Sequence, residues 1–164
     1  MWFQFMDMEK FIEYLQEAEK KIKTADHLIY MTYPLIQDKK IFLTALSEIH
    51  NAIISIISSI LQYEYIYKRI DLSKDAKINL QTFINNCAPS YDITDIEIKT
   101  IKEIISLLEL HRKSVMEFLK NDKIVILSEY LQPEILTLDK NKEFLLISKQ
   151  ILRKTASKML KNRY

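Results

Sequence analysis

The chain has no glycine, three prolines (Pro34, Pro89 and Pro133) and a single cysteine among its 164 residues. Each shortage excludes something. Glycine is the usual residue for positive-φ turns and for loops that let a phosphate approach the backbone. Its absence removes the dinucleotide-binding fingerprint and the phosphate-binding loop, both of which are built on fixed glycines. It removes the nucleophile elbow for the same reason. It also argues against a large sheet of tight primed hairpins. What remains is a chain of helices whose ends fall on Asn, Asp and Ser.

The lone Cys87 cannot close an internal disulfide, which points to a cytoplasmic setting. No secretory leader is expected, because the apolar start Met1-Trp2-Phe3-Gln4-Phe5-Met6 reaches Asp7 and Glu9 at once. The longest uncharged run, Ile49 to Tyr63, holds 15 residues and includes His50, Asn51 and several serines. A spanning helix needs about 20 apolar residues, so this run reads as a buried core helix. The net charge of +2 is too close to neutral to imply a nucleic-acid partner by itself. The length fits one domain, residues 1–164.

Apolar periodicity sets out the helices. A first helix is expected after Asp7 and up to about Thr32, on Phe11, Leu15, Ala18, Ile22, Ala25 and Ile29, with Pro34 as its stop. Asp38 caps a second, about Lys39 to Arg69, whose stripe Phe42, Leu46, Ile49, Ile53, Ile56, Ile60, Tyr63 and Tyr67 makes it the central element. A shorter helix covers about Lys74 to Asn86, and the turn formers from Asn85 to Asp92 read as a loop. Thr94 with Glu97 three residues on is a capping box for the next helix. The last runs from about Asp139 to Leu160. Between Lys113 and Asp139 the short runs Lys123–Ser128 and Glu134–Leu138 predict a small hairpin, with a broken helix as the alternative. The expected fold is therefore all-α: a single bundle of about five helices, two of them long, with a small β-hairpin before the last.

Chemistry is sparse. His27, His50 and His111 lie on three different helices. Glu48–His50 and Glu109–His111 are two residues apart, about 200° around a helix, so neither pair can share a metal. Bundle di-metal sites use Glu-x-x-His instead. No metal or cofactor is therefore expected. Cys87 is either a loop nucleophile or a quietly packed small hydrophobe, and the second reading is the commoner.

Two polar groups stand out. His111, Arg112 and Lys113 with Glu117 combine an imidazole, two cations and a carboxylate where a helix ends. They suit an anion contact or acid–base chemistry, although cations also simply favour a helix C-terminus. Lys23, Asp26 and His27 form the second group; Lys23 and His27 are one turn apart and share a face. On the last helix Lys154, Lys158 and Lys161 make a basic face, a candidate nucleic-acid contact or an ordinary solvated one.

Several stretches resemble a group of uncharacterised archaeal all-helical proteins of related length. They are Ala18 to His27 with Tyr33-Pro34-Leu35, Cys87-Ala88-Pro89-Ser90-Tyr91, and His111 to Ser114 with Glu117-Phe118. The resemblance implies a helical bundle, distantly similar to HEPN domains, which are often tied to RNA cleavage or RNA-related complexes. In the HEPN nuclease pattern an Arg is followed, after about four to six residues, by a His on a late helix. Neither Arg69 nor Arg112 is followed by such a histidine here, and the last helix has none. The reading that results is a non-enzymatic interaction module that dimerises or docks on a protein or nucleoprotein partner. The apolar Trp2, Phe3, Phe5 and Met6 are the expected contact. RNA binding or HEPN-like RNA processing is the alternative.

Overall fold

The computed structural model describes residues 2–161, with side chains from residue 9 onward. The side chains of Trp2, Phe3, Phe5 and Met6, expected above to mark association, lie outside those described. Four helices make the body: α1 (Trp2–His27), α3 (Lys40–Ile66), α5 (Asp95–Lys113) and α6 (Leu138–Lys161), with two short ones, α2 (Tyr33–Ile36) and α4 (Ala76–Thr82). The central helix is α3. Leu46, Ile49, Ile53, Ile56 and Ile60 are fully buried in it, and α1, α5 and α6 all pack against it. By length and composition it is the one described helix that could cross a bilayer; here it is the core of the bundle.

Helix starts follow local rules. Asp38 Oδ1 accepts the Lys40 amide at 2.9 Å, and Asp75 caps α4 through the Lys77 amide at 2.8 Å. The Thr94 hydroxyl accepts the Glu97 amide at 3.2 Å while Glu97 accepts the Thr94 amide at 2.9 Å, completing the capping box at the start of α5.

Two expectations fail at the prolines. Pro34 does not stop the first helix: a π turn at Leu28–Thr32 leads directly into α2. The segment from Asn85 to Asp92 is not an open loop either, but a π turn at Phe83–Cys87 followed by a 3-10 turn at Ala88–Tyr91. In both places the residue before proline bonds five residues back, Tyr33 to Leu28 and Ala88 to Phe83. A proline ring collides with the carbonyl four residues earlier and brings no N–H. Widening the turn just before it moves that carbonyl aside, so the chain stays helical.

All-α is too strict as a description. The chain is mostly helical, and a three-stranded antiparallel sheet precedes α6. It consists of β1 (Met116–Lys120), β2 (Lys123–Leu127) and β3 (Pro133–Thr137), in that order. The expected hairpin is β2 and β3; β1 is additional. Ile124, Ile126 and Leu136 point inward and join the helical core.

Without glycine, five other residues among those described take positive φ: Gln37, Lys68, Asp92, Asn121 and Leu131. All five sit at chain reversals. Asp and Asn tolerate this conformation; for the others it costs about 1–2 kcal/mol each. Leu131→Gly is therefore expected to stabilise the protein by about 0.5–1 kcal/mol in urea unfolding, the relief of strain exceeding the entropy cost of glycine. Leu131→Ala keeps the Cβ and should give no such gain.

Candidate functional site

The two polar groups read from the sequence stay apart. His111 and Glu117 do meet: β1 starts soon enough after α5 to place the Glu117 carboxylate on His111 Nδ1. The Ser114 hydroxyl donates to the same carboxylate at 3.1 Å. The Arg112 charge acts on His50, while Lys113 pairs back along the helix with Glu109 at 2.9 Å. Lys23, Asp26 and His27 sit on α1, which has no substantial packing with α5. Lys23 pairs with Glu19 at 3.2 Å, Asp26 with Lys149 of α6, and His27 Nδ1 with the Thr32 hydroxyl at 3.2 Å. Lys23 and His27 line an open groove of about 520 Å³ along α1. Among the described residues no hydrogen bond or ion pair links the two groups.

The basic face of α6 is largely engaged within the chain. Lys154 bonds the Asp92 carbonyl and the buried Glu97 carboxylate, both at 2.7 Å. Lys158 donates to the Ser90 carbonyl and lies 4.6 Å from the centre of the Tyr91 ring. Lys161 is exposed.

His50 is half-buried, and burial holds it below its ordinary value of 6.5, with the nearby Arg112 charge acting the same way. It is neutral in the fold and takes up a proton on unfolding as the pH falls below that value. Stability is then present above pH 6.5 and declines below it. His50→Gln is expected to flatten the decline between the two values, measured as urea midpoints against pH; an unchanged slope would show that His50 does not cause it.

One polar cluster was missed by sequence reasoning. Glu64, near the end of α3, is buried. It takes Arg69 Nε at 2.5 Å and the Tyr91 hydroxyl at 2.8 Å. Arg69 also covers the rings of Tyr63 and Tyr67, at 5.7 and 5.0 Å. Tyr67 is 49% exposed, so it is not part of the buried stripe as expected. The available signal was Glu64 itself, four residues after Ile60 on the apolar stripe. Cys87 lies in this region, fully buried, and burial pushes its thiol up to about 11. That environment suits a packed side chain, not a nucleophile.

The remaining feature is apolar. Paired residues on the outer side of the sheet form two rows, Phe118–Val125–Ile135 and Met116–Leu127–Pro133. Met116 is 57% exposed, Phe118 41% and Ile135 40%. Val125, paired between Phe118 and Ile135, is buried without belonging to the helical core. A sheet with one face on a core normally turns polar residues outward. Here both faces are apolar. The only charges on the outer side are Lys120 and Lys123, a pair at one end.

The chain matches no family model, no curated protein and no solved structure. The site therefore has to be read from its own chemistry. Among the described residues no three metal-binding side chains gather. Among the described residues the one imidazole–carboxylate pair, His111–Glu117, has a serine as its neighbour, but the Ser114 hydroxyl is placed to donate to the Glu117 carboxylate or the His111 carbonyl and is not held by the imidazole as a nucleophile would be.

Proposed function

We propose that this protein is a non-enzymatic interaction module that binds a protein partner through the outer face of its sheet. The carrying observation is the six-residue apolar face of Met116, Phe118, Val125, Leu127, Pro133 and Ile135 on a sheet whose other side is already packed. Contiguous apolar surface on a soluble domain is a mark of association. The polar candidates support the same reading by their engagement: Asp26, Lys113, Glu117, Lys154 and Lys158 all have partners within the chain. The single unpaired thiol fits the cytoplasmic setting expected from the sequence.

Phe118→Thr with Ile135→Thr keeps strand-forming residues while removing the apolar anchors. Immobilised parent protein is expected to retain a stoichiometric protein from host lysate, with binding unaffected by nuclease. The double variant should bind it at least tenfold more weakly, with an unchanged circular dichroism spectrum. Equal retention by the variant, or retention abolished by nuclease, would overturn the reading. The second outcome would favour RNA binding, for which Lys161 is the lysine to change first.

A further inference from the structure

The two edges of the sheet are treated differently. β3 opens on Pro133 and packs against α6, so its edge is guarded. Among the described residues the substantial packing of β1 is on β2, with Glu117 reaching His111 of α5. The β1 residues Met116, Phe118 and Leu119, with Val115 just before the strand, are 41–59% exposed, on both of its faces.

We propose that a second copy of this chain adds its own β1 to this edge, antiparallel about a two-fold axis at Phe118, so that two three-stranded sheets become one of six strands. The inference rests on the interaction-module reading only in taking the sheet as the contact element; the β1 edge is a second surface beside the outer face, and its occupant is another copy of this chain. Hydrogen-bond phase comes first. The two residues Asn121 and Asp122 connect β1 to β2 and leave Lys120 paired with Lys123. In a two-residue hairpin that closing pair is hydrogen-bonded, and bonded pairs then alternate. Met116 and Phe118 therefore bond toward β2, while the N–H and C=O groups of Glu117 and Leu119 face the open edge. With the axis at Phe118, Glu117 lies opposite Leu119 of the second copy and exchanges both backbone bonds with it.

Charge selects the same register. Lys120 then faces Met116 of the second copy, and neither Glu117 nor Lys120 meets its own kind. Moving the axis to Glu117 sets two carboxylates face to face, which is unfavourable across a strand pair. Moving it to Leu119 carries Met116 past the end of the strand. The interface is self-complementary, as a two-fold contact requires. Edge pairing covers the exposed side chains only in part, so the buried area is below that of a standard interface and the dimer is reversible.

Sedimentation equilibrium over a concentration series tests this on the whole chain. The mass is expected to rise from 19.6 kDa toward twice that value. Leu119→Pro removes only an edge-facing N–H, a position where proline is tolerated. It should hold the protein at the monomer mass while leaving its spectrum and melting temperature as in the parent. Phe118→Cys, placed on the axis, should give a covalent dimer on oxidation, whereas Ile135→Cys should not. A parent that is monomeric throughout would overturn the proposal. So would a dimer that survives Leu119→Pro and fails to cross-link through Phe118→Cys. A monomer that still captures a protein through the outer face would sink the self-pairing and leave the interaction-module reading standing.

Discussion

Glu64→Ala is expected to destabilise the protein by about 3 kcal/mol, the largest single effect of any polar substitution in the chain. The carboxylate is buried and joins three parts of the fold: the end of α3, Arg69 beyond it, and Tyr91 on the 3-10 turn. Truncation leaves the Tyr91 hydroxyl without an acceptor in a buried place, and frees Arg69 from its fork. Because Arg69 is about half exposed it can rehydrate, which keeps the effect at the lower end for a buried pair. Glu64→Gln retains an acceptor for Tyr91 and should lose less than half as much. Tyr91→Phe should cost about 1 kcal/mol, the usual net worth of one hydrogen bond.

The Tyr91 hydroxyl also gives a pH signature. Burial, and then the hydrogen bond to Glu64, push it far above its ordinary value of 10.0. A raised folded value stabilises below the unfolded value, and the stabilisation fades as pH rises above it. Alkaline unfolding above pH 10.0 should therefore weaken in Tyr91→Phe. Urea midpoints for the parent and the three variants, at neutral and alkaline pH, check the whole set. A loss under 1 kcal/mol for Glu64→Ala would mean the cluster does not hold these elements together.

Glu97→Ala is expected to cost about 2–3 kcal/mol, lowering the melting temperature by roughly 4–12 °C for a chain of this size. One side chain closes the capping box of α5 and pairs with Lys154 of α6, so its removal loosens a helix start and a helix–helix contact together. Lys154→Glu should be comparably damaging, because it sets two carboxylates against each other where one is buried. A loss of RNA binding in Lys154→Glu would therefore report this destabilisation as well as any contact of Lys154 with RNA. Lys161→Glu is the charge change that leaves these contacts intact. Thermal melts of all three separate the effects: a Lys154→Glu protein as stable as the parent would free Lys154 for a role outside the fold.

Local chemistry was legible in the sequence; long-range pairing was not. Thr94 and Glu97 could be read as a capping box because the motif closes within one turn. The central place of α3 could be read from its stripe, because apolar periodicity reports burial directly. The prolines misled because the rule that ends a helix before proline assumes an unbroken i→i−4 ladder, and π turns at Leu28–Thr32 and Phe83–Cys87 change the ladder. β1 was missed because Met116-Glu117-Phe118-Leu119-Lys120 lacks clean alternation: Met116 and Phe118 face out, and Leu119 faces in beside Glu117. Asn121-Asp122, with positive φ at Asn121, was the turn signal that marked it. The apolar outer face itself needed the register, since Phe118, Val125 and Ile135 are far apart in sequence. Lys154 and Lys158 read as a free basic face because their partners, Glu97 and Ser90, lie on other elements.

The most direct test of the account places a photo-reactive side chain at Ile135 on the outer sheet face, and in a second protein at Lys23 on the exposed side of α1. After irradiation in host lysate, the account predicts a discrete covalent protein adduct from position 135 and none from position 23. Adducts from position 23 alone, or none from position 135 at any concentration, would contradict it.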